Sequence, residues 1–224
     1  MPPLADRDDK APESGAVRFL FYGLQATAAA LSVRAVLATP SPLPRVRGHS
    51  LAAAFVGRAA SQCLLPRVVP YRMGAGLTAF VGLANVALDV WVARTAAASP
   101  ACAALSGARF ALATLLFWAG LALERLPELA RARWKARPEN RGKCYTRGAF
   151  ALARHVNHTG FALLRIGLPL AGGVAPPIVA ALAVGNAATF HKEAAAQHAR
   201  NSKKYGKTYD DSARCTPRFI PGLY

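Results

Sequence analysis

Apolar residues in this chain gather into long runs instead of alternating with polar ones. Four such runs, 16–38, 50–69, 74–93 and 101–123, each approach the roughly 20 residues that a helix needs to cross a bilayer. A basic stretch, 124–147, follows them. A second apolar region, 148–190, is interrupted by Pro169, Gly172, Gly173, Pro176 and Pro177, which predicts a helical hairpin turning inside the membrane or at its far face. Gly172-Gly173 is a turn and not a phosphate loop, because no strand precedes it. A polar tail, 191–224, closes the chain, and the Pro-rich 39–44 is a loop. The expected fold is all-α and integral to a membrane, with about six transmembrane helices, the last two a short hairpin. Three parts result: a polar segment at 1–15, a four-helix membrane region at 16–123 and a C-terminal region at 124–224.

Composition narrows the function classes. At 53% hydrophobic the chain is too apolar for disorder. The net charge of +17 suggests nucleic acid at first, but the cations sit at the ends of apolar runs, as topology signals do, so no nucleic-acid partner is expected. Cys63, Cys102, Cys144 and Cys215 show no metal-ligand spacing, and no metal site is expected. The acidic start of the chain (Asp6, Asp8, Asp9, Glu13) is unlike a secretory signal or a transit peptide. With six crossings, both termini share a side with 70–73 and 124–147. The opposite loops hold Arg45, Arg47 and Arg94 alone. The positive-inside rule then puts the basic face and both termini on the cytosolic or matrix side, of the endoplasmic reticulum or of an organelle inner membrane. Arg58, Asp89, Arg109 and Arg165 fall inside or near the spans and need partners, because an unpaired charge at mid-bilayer costs several kcal/mol. Asp89 is a helix-pairing group for Arg58 or Arg109, and one acid cannot neutralise three arginines.

The C-terminal half carries the chemistry. On a helix, Arg131 and Lys135 share a face. Gly148–Gly160 places Arg154, His155, Asn157 and His158 at the mouth of an apolar segment. His191-Lys192-Glu193 follows the hairpin, and Lys204-Tyr205-Gly206-Lys207 precedes Pro217-Arg218-Phe219-Ile220-Pro221-Gly222. Three basic clusters at one interface suit a phosphate-bearing cofactor. A positive face contacting lipid headgroups is the alternative from composition alone.

This half resembles the C-terminal region of the sterol reductase and steroid 5-alpha-reductase superfamily, and more distantly isoprenylcysteine carboxyl methyltransferase. The resemblance rests on four ordered motifs. Glu124, Glu128, Leu129, Arg131, Trp134, Lys135, Pro138, Asn140, Arg141, Gly142 and Lys143 form the first, and Gly148, Phe150, Arg154, His155, Asn157 and Gly160 the second. His191-Lys192-Glu193 is the third, and Lys204-Tyr205-Gly206-Lys207 with Tyr209 and the 216–224 tail is the fourth. The resemblance implies a membrane reductase that takes hydride from NADPH to a carbon–carbon double bond of a sterol-like or prenyl-like lipid. It implies that Arg131 and Lys135 hold phosphates, that Phe150 and Asn157 line the nicotinamide or ribose site, and that Lys192 replaces the arginine of the third motif. Arg154, His155 and Tyr205 complete the expected cofactor set.

The chain also departs from the pattern. Val156 replaces a proline, His158 a tyrosine and Phe161 an acid, and Ala194-Ala195-Ala196-Gln197 lacks a further acid. His158 is the candidate replacement for the lost proton donor. These losses leave two other functions open. One is a catalytically degenerate member serving as a structural subunit of a large membrane complex, such as a respiratory one, with other subunits and lipids as partners. The other is a methyltransferase using S-adenosylmethionine.

Overall fold

The computed structural model describes residues 15–38, 41–68 and 75–220. The polar segment before residue 15, the loop expected at 70–73 and the end of the tail lie outside the described residues. Among the described residues the fold is helical, without strands. The elements are α1 (Gly15–Leu37), α2 (Arg45–Val68), α3 (Ala75–Ala98), the short α4 (Pro100–Ala104) and α5 (Gly107–Lys135). After a 3-10 turn (Pro138–Asn140) come α6 (Ala149–Leu152), α7 (Val156–Ala171), α8 (Pro176–Tyr205) and α9 (Lys207–Cys215).

The protein is a membrane protein by the pattern of its surfaces. Large apolar side chains face outward, among them Phe19, Val46, Phe80, Leu115 and Val184, while Gln25, Ser32, Asn85 and Asp89 are buried within. Water would penalise that arrangement and lipid favours it. Among the described residues three helices are long and apolar enough to cross a membrane: α1, residues Ala79–Ala98 of α3, and α5. The helix formed by the second predicted span, α2, has the length, but it carries Arg45, Arg47, Arg58 and Gln62. At 16 residues α7 is short for a crossing. The hairpin is present, with Gly173 at φ +74 in its turn, where an added Cβ would lie 2.7 Å from that of Cys102. Two features extend beyond expectation. The helix of the fourth span runs on through the basic stretch to Lys135, and α8 runs on into the polar tail to Tyr205.

Among the described residues α5 and α7 share the most extensive helix contact, and glycine lets them approach. A Cβ on Gly160 would lie 2.4 Å from the Glu124 nitrogen and 2.6 Å from the Gly120 carbonyl oxygen. A Cβ on Gly167 would lie 2.4 Å from the Phe117 nitrogen. The two backbones therefore touch, as small residues permit in membrane helix pairs. Around this seam Phe55, Val92, Phe117, Leu121, Leu164 and Leu168 join α2, α3, α5 and α7 into one core.

Arg58, Asp89 and Arg165, three of the charges expected within or near the spans, find partners. The Arg58 Nη1 pairs with the Asp89 carboxylate, and its Nη2 donates to the Asn85 Oδ1 at 2.9 Å. Arg165 donates to the same Asn85 oxygen at 3.3 Å and lies 4.8 Å over the Phe161 ring. Arg109 sits exposed in the first turn of α5, away from this group. Arg47 is bonded to the protein as well as marking a loop: it donates to the carbonyls of Cys102, Ala103 and Leu105 at 2.6–3.1 Å, satisfying the carbonyls that the end of α4 leaves open.

Candidate functional site at the C-terminal end

The site is assembled from the end of α5, the α6–α7 junction, the second half of α8 and the strap 216–220. Arg131 and Lys135 share a face of α5, as their spacing requires. Arg131 pairs with Glu128 and lies 5.1 Å over the Phe150 ring. Lys135 donates to the Tyr205 hydroxyl at 2.9 Å, tying the ends of α5 and α8 together. Asn157 at the start of α7 donates to the second Glu128 oxygen at 3.0 Å. Trp134, Tyr145 and Phe150 form a row of rings beside these groups, with centroids 5.2 and 5.9 Å apart. Burial pushes the Cys144 thiol up, only partly offset by Lys135 and Arg131. It therefore stays a thiol and not a nucleophilic thiolate.

The strap crosses the opening of α7 as a set of hydrogen bonds. The backbone nitrogens of Arg154 and His155 donate to the Pro217 and Arg218 carbonyls, both at 2.9 Å. The Arg154 Nε donates to the Thr216 carbonyl at 3.0 Å, and the Thr159 hydroxyl to the Phe219 carbonyl at 2.8 Å. His198 on α8 meets Arg154 at 3.4 Å and the Tyr209 hydroxyl of α9 at 3.3 Å. Beneath the strap runs an unbroken row of rings. Phe219, His155, His158, Phe190 and Phe161 follow one another at centroid separations of 5.6, 5.2, 4.8 and 5.4 Å. Arg165 caps its membrane end. His158 and Phe161, two of the positions departing from the resemblance, are thus ring-stacking positions here.

The structure gathers Arg131, Lys135, Phe150, Asn157 and Tyr205 into one set of contacts, and Arg154, His155 and His158 into a second under the strap. It does not bring Lys192 to them. That residue is exposed, because a helix turns it nearly half a revolution from Phe190 and Ala194, which pack inward. Glu128 and Phe219, which the sequence marks only as members of motifs, also join the site, as does His198, which no motif contains.

His155 is 3% exposed and its Nε2 is buried without a hydrogen-bond partner. Burial, with His158, Arg154 and Arg218 adding repulsion and Gln197 opposing them, lowers its pKa to about 3. It is therefore neutral at physiological pH. A histidine whose folded value lies below the unfolded one adds stability that is complete above about 6.5 and is lost as pH falls from there toward about 3. Thermal melting of the wild type against pH is expected to fall through that window. His155→Asn is expected to flatten the fall, and equal slopes for the two proteins would refute the assignment.

Among the described residues no group of acid, cysteine and histidine side chains has the arrangement of a metal site. The probable O-methyltransferase ustE of Ustilaginoidea virens is 41% identical to this chain over 101 residues, or 42% of the chain. The chain spans little more than a third of that relative, 36% of its length. No solved structure matches the chain. The family described as "Protein of unknown function (DUF1295)" matches residues 78–207, more than half of the chain and the stretch that builds most of this site, and the chain belongs to that family.

Proposed function

We propose that this protein is a membrane enzyme that moves a small group from a soluble, nucleotide-bearing donor to a lipid-soluble acceptor at the C-terminal site. The observation that carries the reading is the pair of cations at the end of α5, Arg131 over the Phe150 ring and Lys135 on the Tyr205 hydroxyl, with Arg154 held by the strap at the start of α7. The donor we favour is NADPH. Its phosphates match fixed guanidinium and ammonium groups, and the Arg200 Nη1 is a further cationic donor, buried without a partner. Phe150 holds the Arg131 guanidinium over its ring, and Asn157, oriented by Glu128, offers its amide to a ribose or nicotinamide. NADPH supplies hydride when bound. His158, stacked between His155 and Phe190, is the candidate to deliver the accompanying proton to an acceptor double bond, as in reduction of a sterol-like or prenyl-like lipid.

Methyl transfer from S-adenosylmethionine is the second reading, supported by the name of the ustE relative. A cationic sulfonium gains nothing from Arg131 and Lys135, so the two donors separate by charge. Titrating the full-length protein in neutral detergent with each donor, following Trp134 fluorescence, tests both readings. The R131Q/K135M variant is expected to weaken NADPH binding by about 100-fold, from two charge-assisted hydrogen bonds at roughly 1.5 kcal/mol each. Saturable binding of S-adenosylmethionine with none of NADPH would replace the first reading by the second.

A further inference from the structure

α5 marks the level of the bilayer surface. About 20 helical residues cross the hydrocarbon layer. Counted from Gly107, they end at Leu126, the last large apolar side chain that α5 exposes. The next exposed charge on the same helix is Arg133. The surface therefore falls between the two, at the level of Glu128, whose carboxylate accepts from Asn157 in the first turn of α7. The chain between the two helices starts beyond that level and returns to it. Lys135 ends α5 seven residues after Glu128, a rise of about 10 Å. Residues 136–148 make the descent to α6, which stands directly before α7.

The descending segment is held in place, because Tyr145 packs against both the Trp134 and the Phe150 rings. Its charged side chains are all exposed, and Arg137, Arg141, Lys143 and Arg147 face the acid Glu139 alone. Arg147 adjoins α6 and so stands at the surface, and Lys143 lies within about a Debye length of it, roughly 10 Å. At the lower end Phe150 and Ala153 are buried, whereas Leu152 is turned outward and is 60% exposed. A leucine left out of the core is penalised in water and is at no disadvantage in lipid. An apolar tip beneath a cationic rim is complementary to the edge of a bilayer with anionic headgroups.

We propose that residues 143–152 form an interfacial site for anionic phospholipid. Leu152 enters the apolar edge of the bilayer, and Lys143 and Arg147 hold lipid phosphates. The site also sets the depth of the neighbouring chemistry. Phe150, two residues from Leu152, carries Arg131 over its ring, so the cations at the end of α5 stand at headgroup level. On the group-transfer reading above, an acceptor drawn from the bilayer then reacts near its polar end. That consequence rests on the reading, whereas lipid binding does not.

The test places p-benzoylphenylalanine at position 152 of the full-length protein, in nanodiscs of phosphatidylcholine and phosphatidylglycerol. Irradiation is expected to cross-link it to phospholipid. Phosphatidylglycerol is expected to be enriched in the adducts about fivefold or more over its share of the nanodisc, the gain from a single cation near the surface. K143Q/R147Q is expected to return the adducts to that share, and added salt to do so in part. Cross-links to protein in place of lipid, or lipid adducts without enrichment, would overturn the proposal. Melting of the unlabelled protein gives a second arm. The wild type is expected to melt higher in nanodiscs with phosphatidylglycerol than in phosphatidylcholine alone, by a margin that K143Q/R147Q removes, and an equal margin in both proteins would count against the site. Neither arm uses NADPH, so failure of the wild type to bind it removes the reductase reading and leaves the lipid result standing.

Discussion

Replacing Gly160 by valine is expected to prevent α5 and α7 from docking, with loss of most folded protein. The physical reason is distance. Even a single Cβ at Gly160 would lie 2.4 Å from a backbone nitrogen and 2.6 Å from a backbone oxygen, and backbone cannot rotate away as a side chain can. The helices would have to separate by about an ångström or more, which strips contacts along the whole seam that includes Phe117, Leu121 and Leu164. Overpacking in a core typically costs about 1–3 kcal/mol, and a clash against two backbone groups belongs above that range, at more than about 3 kcal/mol. In a chain of this size that corresponds to a melting temperature lower by roughly 10 °C, or to no cooperative melting. Gel filtration and thermal melting in detergent read the outcome. Gly185 of α8 is the internal control, because nothing lies within 4 Å of a Cβ there. Gly185→Ala is expected to be neutral or slightly stabilising through helix propensity. A G160V protein that melts with the wild type would mean that the seam is not as close as described.

Asp89→Leu is expected to destabilise the protein by about 3–5 kcal/mol, because it leaves the buried guanidinium of Arg58 without its carboxylate. The second half of the prediction is a rescue. Arg58→Met removes the orphaned charge, so R58M/D89L is expected to recover most of the lost stability, since breaking a buried pair is worse than deleting it. A double-mutant cycle followed by melting gives the coupling between the two positions, expected to be at least about 2 kcal/mol. If the double variant is no more stable than D89L, Asp89 acts through something other than Arg58. Asn85 limits the size of the effect, because in D89L its oxygen still accepts from Arg58 and Arg165.

The residues legible in the sequence share one property: their signal is local. Runs of apolar residues specify helices wherever they fall. Gly172-Gly173 between two prolines breaks a helix without help from its neighbours. Arg131 and Lys135 are four residues apart and therefore share a face in any helix that contains them. The same local logic misplaced Lys192. It stands beside His191 and Glu193 in the sequence, and the helix carries it to the opposite face from Phe190 and Ala194. His158 was legible as a departure from a pattern. Its place in a row of stacked rings was not, because Phe190 and Phe219 come from elements 32 and 61 residues away.

By itself the amino-acid order determined that the chain is helical and embedded in a membrane, that a hairpin interrupts its second half, and that basic groups gather toward the C-terminus. Those properties follow from hydropathy, backbone sterics and charge, which act over a few residues at a time. Only the tertiary structure decided which charges are neighbours. Asp89 meets Arg58 across 31 residues, and Thr216 meets Arg154 across 62. Such pairings depend on how separate elements pack, and the closest approach, that of α5 to α7, is set by glycines whose missing side chains carry no periodic signal.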